Sequence, residues 1–269
     1  MDNRAIGVFD SGLGGLTAVK EIWHSLPYES IIYFGDTGRV PYGTRSKETV
    51  IRYALQDMDF LLSYDIKAVV AACGTVSSVA LSEIRSKTEI PVFDVVTPAS
   101  KSAVNITKTG NIGVIGTTAT ISSHSFSAHI TSKNKDITVH QKACPMLVPL
   151  VENGYIDKNN AATNIITREY LQYFNDKNID TLILGCTHYP ILSDIIKEIL
   201  GNGVTLIDSG KEAVKRLFGF LNDNKMLSEN TQPYNKFFVS DDAANFSSIA
   251  SIFLEKEIKQ QAQVVNLEI

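Results

Sequence analysis

Two short aliphatic runs, each ending in a cysteine, constrain this chain more than any other feature: Val69-Val70-Ala71-Ala72-Cys73-Gly74-Thr75 and Leu182-Ile183-Leu184-Gly185-Cys186-Thr187-His188. A short, uninterrupted apolar run suits a strand buried on both faces of a parallel sheet. A hydroxyl-bearing residue and a helical segment follow each cysteine. Each thiol is therefore expected at a strand's carboxyl end, the edge at which open α/β sheets bind ligands. A helix start beside the sulfur supplies N–H groups and partial positive charge that favour thiolate over thiol. One cysteine in such a run reads as buried and inert, because free cysteine is among the most buried residue types. Two in matching contexts read as a pair with a chemical task.

The rest of the chain repeats the strand-then-helix unit. Residues 6–9 read as a first strand, which runs into Asp10-Ser11-Gly12-Leu13-Gly14-Gly15 and a helix over 16–26. These glycines lack the G-x-G-x-x-G spacing, which argues against a dinucleotide site. The turn instead offers a carboxylate and a hydroxyl at the sheet edge, although Asp10 reads equally well as a helix cap. A second strand over 30–34 leads into a long loop, 35–45, with Pro41-Tyr42-Gly43 and two arginines. That loop suits a pocket wall or a plain surface connection. A helix over 47–64, a strand over 66–72, a helix over 76–87 and a strand over 90–93 complete four steps.

From Thr97 the pattern starts again. Residues 112–118 echo the first strand and turn, and further strands are expected over 137–140, 181–185 and 204–208, with helices over 147–152, 160–175 and 212–221. The two first strands stand nearly as far apart as the two cysteines, which implies a duplicated unit. A polar stretch over 222–235 reads as a surface connection, followed by a strand over 236–240 and a helix over 243–254. The tail beyond Glu257 carries no signal. The fold class expected is α/β, with a parallel sheet covered by helices on both faces in each half, and the two cysteine turns can line one cleft if the halves face each other.

Composition narrows the function. At 269 residues, with 44% hydrophobic and 20% charged residues, the chain has ample core for two soluble domains. A net charge of −4, a pI near 5.8 and no run of lysines or arginines leave no footprint for nucleic acid or an acidic membrane surface. A small polar ligand is expected instead. No apolar leader or spanning segment is evident, so a cytoplasmic protein is expected. Cys73, Cys144 and Cys186 are too few for a disulfide framework, and no C-x-x-C pair suggests zinc or a dithiol centre.

Two thiols on facing sheet edges suit inversion at a stereocentre: one sulfur removes a proton from a carbon and the other returns one to the opposite face. An ordinary thiol, with a pKa of about 8.5, is mostly protonated at neutral pH, so helper groups are required. Asp10 beside Cys73, and Glu152 or His188 beside Cys186, are the candidates. His188 reads equally well as a cap or core histidine.

Taken together, Asp10-Ser11-Gly12-Leu13-Gly14-Gly15, Pro41-Tyr42-Gly43, Cys73-Gly74-Thr75, Gly116-Thr117-Thr118 and Leu184-Gly185-Cys186-Thr187-His188-Tyr189-Pro190 resemble the glutamate racemase family, within the aspartate/glutamate racemases. The resemblance runs from Ile6 to about Leu217. It implies a two-base racemase with no cofactor and no metal, interconverting L- and D-glutamate for bacterial peptidoglycan and often dimeric. It also implies two pseudo-symmetric α/β domains with an interdomain cleft, the chain returning to the first at its end: 1–95 plus 210–269 carrying Cys73, and 96–209 carrying Cys186. By position, Cys73 and Cys186 would be the bases, assisted by Asp10, Glu152 and His188. Asp10, Ser11, Pro41, Tyr42, Gly43, Gly74, Thr75, Thr118, Thr187 and His188 would hold the amino acid.

One departure stands out. The family usually has asparagine after the first cysteine, where this chain has Gly74, and Val76 replaces a common alanine. Backbone N–H groups bared by the glycine are expected to take over the lost amide's role. Rival expectations are a racemase of aspartate, another small amino acid or a hydantoin, and a silent amino-acid-binding relative. A thiol redox protein is a third, and would need the two Cβ atoms within about 3.5–4.5 Å. Aspartate racemases tend to carry an acidic residue soon after Cys-Thr, so His188 favours glutamate.

Overall fold

The structure, a computed structural model, describes residues 1–244, 246–256 and 261–267. The first part runs β1 (Ala5–Asp10), α1 (Leu16–Ser25), β2 (Ile31–Gly35), α2 (Lys47–Leu62), β3 (Ile66–Ala71), α3 (Gly74–Val79), α4 (Leu81–Ser86), β4 (Val92–Asp94) and α5 (Val96–Ile106). The second runs β5 (Asn111–Gly116), α6 (Thr118–Ser122), α7 (Ser125–Lys133), β6 (Thr138–Ala143), α8 (Leu147–Glu152), α9 (Ala161–Leu171), β7 (Thr181–Leu184), α10 (Ser193–Leu200) and β8 (Thr205–Asp208). Then follow α11 (Ser209–Asp223), β9 (Asn235–Val239), α12 (Phe246–Leu254) and β10 (Gln263–Val264).

The strands form two sheets, one six-stranded in the order β10-β9-β2-β1-β3-β4 and one four-stranded in the order β6-β5-β7-β8. Every pairing is parallel. The order β2-β1-β3-β4 in the first sheet is the order β6-β5-β7-β8 of the second, so β1 corresponds to β5 and β3 to β7. That equivalence is the duplication expected from the sequence. In each sheet the strand order turns at the β1/β3 or β5/β7 pair, where the following loops diverge and open a crevice at the carboxyl edge. Cys73 follows β3 and Cys186 lies just past β7, so both sulfurs are delivered to such a crevice.

Strands β1, β2 and β3 are buried along their whole length, as their uninterrupted apolar sequences require under helices on both faces. The two sheets share one apolar core. Leu16, Val19 and Ile22 of α1 face Val214, Leu217 and Leu221 of α11, in a cluster that also contains Ile6 and Val8 of β1 and Leu182 and Leu184 of β7. Each such side chain contributes about 1.5–3 kcal/mol on burial, so this shared layer sets how the halves sit.

Several elements differ from expectation. The helix expected over 76–87 is two helices, α3 and α4, broken at Ala80, whose φ of −123° and ψ of 4° leave the helical region. The cause lies in the serines: Ser77 Oγ donates to the Ala71 carbonyl at 2.9 Å and accepts from the Val95 N–H at 3.3 Å, which ties α3 to the sheet. Helices α5, α6, α7 and α10 and the short strand β10 were not anticipated. Threonine and serine dominate 117–127 and mask the helical period there. Residue 245, inside the helix expected over 243–254, lies outside the described residues, as do 257–260 in the tail. Among the described residues no helix is long and apolar enough to cross a membrane.

Candidate active site

A cavity of about 340 Å³ opens between the two sheets' carboxyl edges, within the usual range for small-molecule sites. Cys73 and Cys186 both line it, with Ser11, Pro41, Tyr42, Gly43, Gly74, Thr75, Thr118, Glu152, Thr187 and His188. Each cysteine is almost enclosed, Cys73 being 5% and Cys186 6% exposed. Asp10 is fully buried behind the cavity wall and does not line it.

On the Cys186 side the groups form a relay. Cys186 Sγ lies 3.8 Å from His188 Nδ1, and His188 Nε2 lies 2.9 Å from Glu152 Oε1. Thr187 Oγ1 is 3.3 Å from the same Nδ1. Burial opposes a charge on the imidazole, yet its bonds to Cys186 and Glu152 prevail and raise its pKa to about 10. Glu152 comes from the end of α8 and His188 from the turn after β7, so two elements of the second half assemble the relay.

The Cys73 side is drier. The Cys73 thiol donates to Ser11 Oγ at 3.5 Å. Burial first, then the charge of nearby Asp10, push the thiol up to about 12, against the Ser11 hydroxyl and the Val76 N–H. The expectation that the helix start favours thiolate at Cys73, with a helper group still required, meets surroundings that favour the thiol. A helix terminus supplies about 0.3–1 kcal/mol, whereas a rise from 9 to about 12 is on the order of 4 kcal/mol at about 1.4 per tenfold, so burial wins. Asp10 accepts the Gly12 N–H through Oδ2 at 3.0 Å, and burial raises its carboxyl while the His188 charge and the Gly12 and Gly15 N–H groups pull it down.

The pocket-wall loop between β2 and α2 is held from behind. The Tyr42 hydroxyl donates to Asp36 and lies 3.1 Å from Asp57 Oδ2, with all three side chains buried. Arg39 spans the two acids, Nε to Asp36 Oδ2 at 2.6 Å and one terminal nitrogen to Asp57 Oδ1 at 3.0 Å. Burial and the charge of Asp36 raise Asp57 well above the ordinary carboxyl range. Ser240, just past β9, donates to Asp36 Oδ1 at 2.7 Å and so ties the returning chain to this wall.

Among other lining residues, Gly12, Val40, Thr44 and Thr117 lie in turns and loops read from the sequence as part of the site without being singled out, whereas Pro145, Val148 and Pro149 escaped sequence reasoning. Thr117 carried a signal, sitting at the turn equivalent to Ser11. Pro145, Val148 and Pro149 carried none, since apolar residues read as core. Cys144, the third thiol, is buried outside the cavity, where burial raises it to about 12 and its carbonyl accepts the Tyr189 hydroxyl at 2.8 Å.

Comparisons with known proteins agree with this geometry. The Asp/Glu/Hydantoin racemase family matches residues 17–217. A glutamate racemase from Geobacter metallireducens is 43% identical over 262 residues, covering 97% of this chain and 96% of its own. One from Persephonella marina is 45% identical over 254 residues, covering 94% and 95%. The crystal structure of glutamate racemase from Francisella tularensis in complex with D-glutamate matches with a TM-score of 0.93 at 42% identity, over 100% of this chain and 99% of that one. With the fold, the paired cysteine turns and these relatives in agreement, the chain belongs to the Asp/Glu/Hydantoin racemase family of isomerases.

Proposed function

We propose that the protein interconverts L- and D-glutamate by two-base proton transfer, with Cys73 and Cys186 as the bases. The observation that carries this is that two sulfurs from equivalent turns of a duplicated fold line one cavity. One sulfur, as thiolate, takes the Cα proton and becomes a thiol; the electron pair left on carbon delocalises into the substrate carboxylate. The opposite thiol then gives its proton to the other face, and the two sulfurs have exchanged protonation states.

The environments suit those roles. Cys186 stands beside the His188–Glu152 relay, whose imidazole is within reach to take up and return a proton. Cys73 is the resting proton donor, its thiol raised to about 12 by burial and Asp10. An amino acid brings its own ammonium into the cavity, and a positive charge near a buried thiol lowers its pKa, so substrate itself equips Cys73 to act as base in the reverse direction. Gly74, Thr75, Thr118, Ser11 and Thr187 line the cavity, and in this reading their backbone N–H groups and hydroxyls hold the carboxylates. Pro41, Tyr42 and Gly43 close the wall.

The identity of the relatives supports glutamate as substrate. The family resemblance supports a cytoplasmic homodimer that needs no added cofactor, supplies D-glutamate for peptidoglycan and is divided at 1–95 plus 210–269 and 96–209. Purified protein incubated with L-glutamate in cofactor-free buffer should give equal amounts of the two enantiomers by chiral chromatography. If L-glutamate returns unchanged while aspartate is racemised, the substrate assignment is wrong.

A further inference from the structure

In the relay, two nitrogens of one ring face two partners at once: Nδ1 of His188 lies 3.8 Å from Cys186 Sγ and Nε2 lies 2.9 Å from Glu152 Oε1. The torsion that turns a histidine ring about its Cβ–Cγ bond is broad, so the side chain does not fix its own plane. The partners hold that plane loosely. The sulfur contact is long, and the Glu152 side chain is 36% exposed. Hydrogen bonds weaken steeply as their angle closes, so a ring that turns loses both partners together. What fixes the plane comes from a distant part of the chain. The Phe253 ring stands 5.1 Å from the imidazole, centroid to centroid, with the two planes at 87°, the edge-to-face arrangement that aromatic pairs prefer. Phe253 is fully buried on α12 and does not line the cavity. Gly14, in the turn after β1, lies against the same ring, since a Cβ added there would come 2.6 Å from Cε1 and 2.7 Å from Nδ1 of His188. Helix α12 is itself anchored: Phe246, Ala250 and Leu254 join the core that holds Leu16 and Val19 of α1, and Lys20 of α1 pairs with Glu255 at 2.8 Å.

We propose that Phe253 is a positioning residue for proton transfer at Cys186, holding the His188 ring in the plane that joins Cys186 Sγ to Glu152 Oε1. The proposal rests on the two-base reading above. A buried phenylalanine on a core helix has an ordinary use, which is to fill space. Phe246, on the same helix and 1% exposed, shows that use: it packs on Phe237 of β9 with ring centroids 5.4 Å apart. Phe253 differs because its neighbour is a member of the relay. Leucine at 253 keeps an apolar filling but removes the ring that stands across the imidazole, so the imidazole is free to turn away from Glu152. The charged and titratable groups that face His188 are Cys186 on its own turn, Glu152 from α8 and Asp10 from β1. Phe253 adds no charge to that set, so replacing it acts on the relay through the orientation of the ring.

The test compares wild type with Phe253→Leu, Phe246→Leu, Glu152→Gln and the combined Phe253→Leu, Glu152→Gln variant. Racemisation of L-glutamate is followed across pH at a temperature where thermal melting shows each protein folded. Phe253→Leu should lose about tenfold in kcat, a part of the roughly 10²-fold that a misplaced group can cost. Its descending pH limb should move to lower pH, because the ring gives up its Glu152 partner. Phe246→Leu should also lower the melting temperature, yet keep kcat within about twofold and leave the limb in place. Added to Glu152→Gln, Phe253→Leu should cost less than about threefold, since the relay it aligns is already broken. Wild-type kcat and limb in Phe253→Leu, equal kcat losses in the two leucine variants, or the full loss persisting in the Glu152→Gln background overturns the proposal and leaves the two-base reading standing. Should Phe253→Leu fail to fold, Phe253→Met takes its place in the same comparisons. A wild-type protein inactive on glutamate overturns the two-base reading, and this proposal with it.

Discussion

The two sulfurs differ in what stands behind them, and that difference governs the single-residue predictions. Cys73→Ala and Cys186→Ala should each lower racemisation by about 10²–10⁴-fold, the usual worth of a general acid or base. Cys144→Ala should leave kcat within about twofold, since that thiol lies outside the cavity. Glu152→Gln tests the relay. The imidazolium of His188 persists below a pKa of about 10, above the ordinary value, and is lost as pH rises through it. Removing the Glu152 charge removes one raising influence, so the descending limb of the pH–rate profile should move to lower pH. Activity at about pH 9 should fall more than activity at about pH 7. An unmoved limb would show that Glu152 does not act through His188. The cysteines and His188 were legible in the sequence because reactive types sat at strand ends or beside them, whereas Glu152, at the end of α8, carried no such local signal. Asp57 was not, because one acid on a helix face looks solvated until the fold buries it.

At the scale of elements, the pocket-wall loop depends on the buried network beneath it. Tyr42→Phe strips a hydroxyl from Asp36 and Asp57 and should cost about 1–3 kcal/mol in unfolding by denaturant. An unchanged stability in Tyr42→Phe would contradict a role for this buried network in holding the loop. Strands were read more faithfully than helices: the runs at β1, β3 and β7 are short, apolar and end in distinctive turns. Helices α6 and α7 are short and rich in serine and threonine, so neither period nor propensity announces them, and tertiary packing decides their form. The break at Ala80 depends on Ser77 bonding to distant backbone, which no local pattern could reveal.

Over the whole molecule, the repeated strand order explains why one sequence pattern predicted two halves and one site. Duplication gives each half a cysteine at the same place on its sheet, and the apolar layer of α1 and α11 fixes the halves face to face. The sequence could show the repeat but not the closeness of the halves, because contacts such as Gly43 with Thr117 join residues far apart in the chain. The most direct test of opposed sulfurs is a single incubation of L-glutamate in deuterium oxide, sampled early and separated by enantiomer. Two-base transfer predicts that the D-glutamate formed carries deuterium at Cα while the remaining L-glutamate keeps its hydrogen. D-glutamate that retains the original hydrogen would mean one base carries the proton across, and would contradict a mechanism that uses both cysteines.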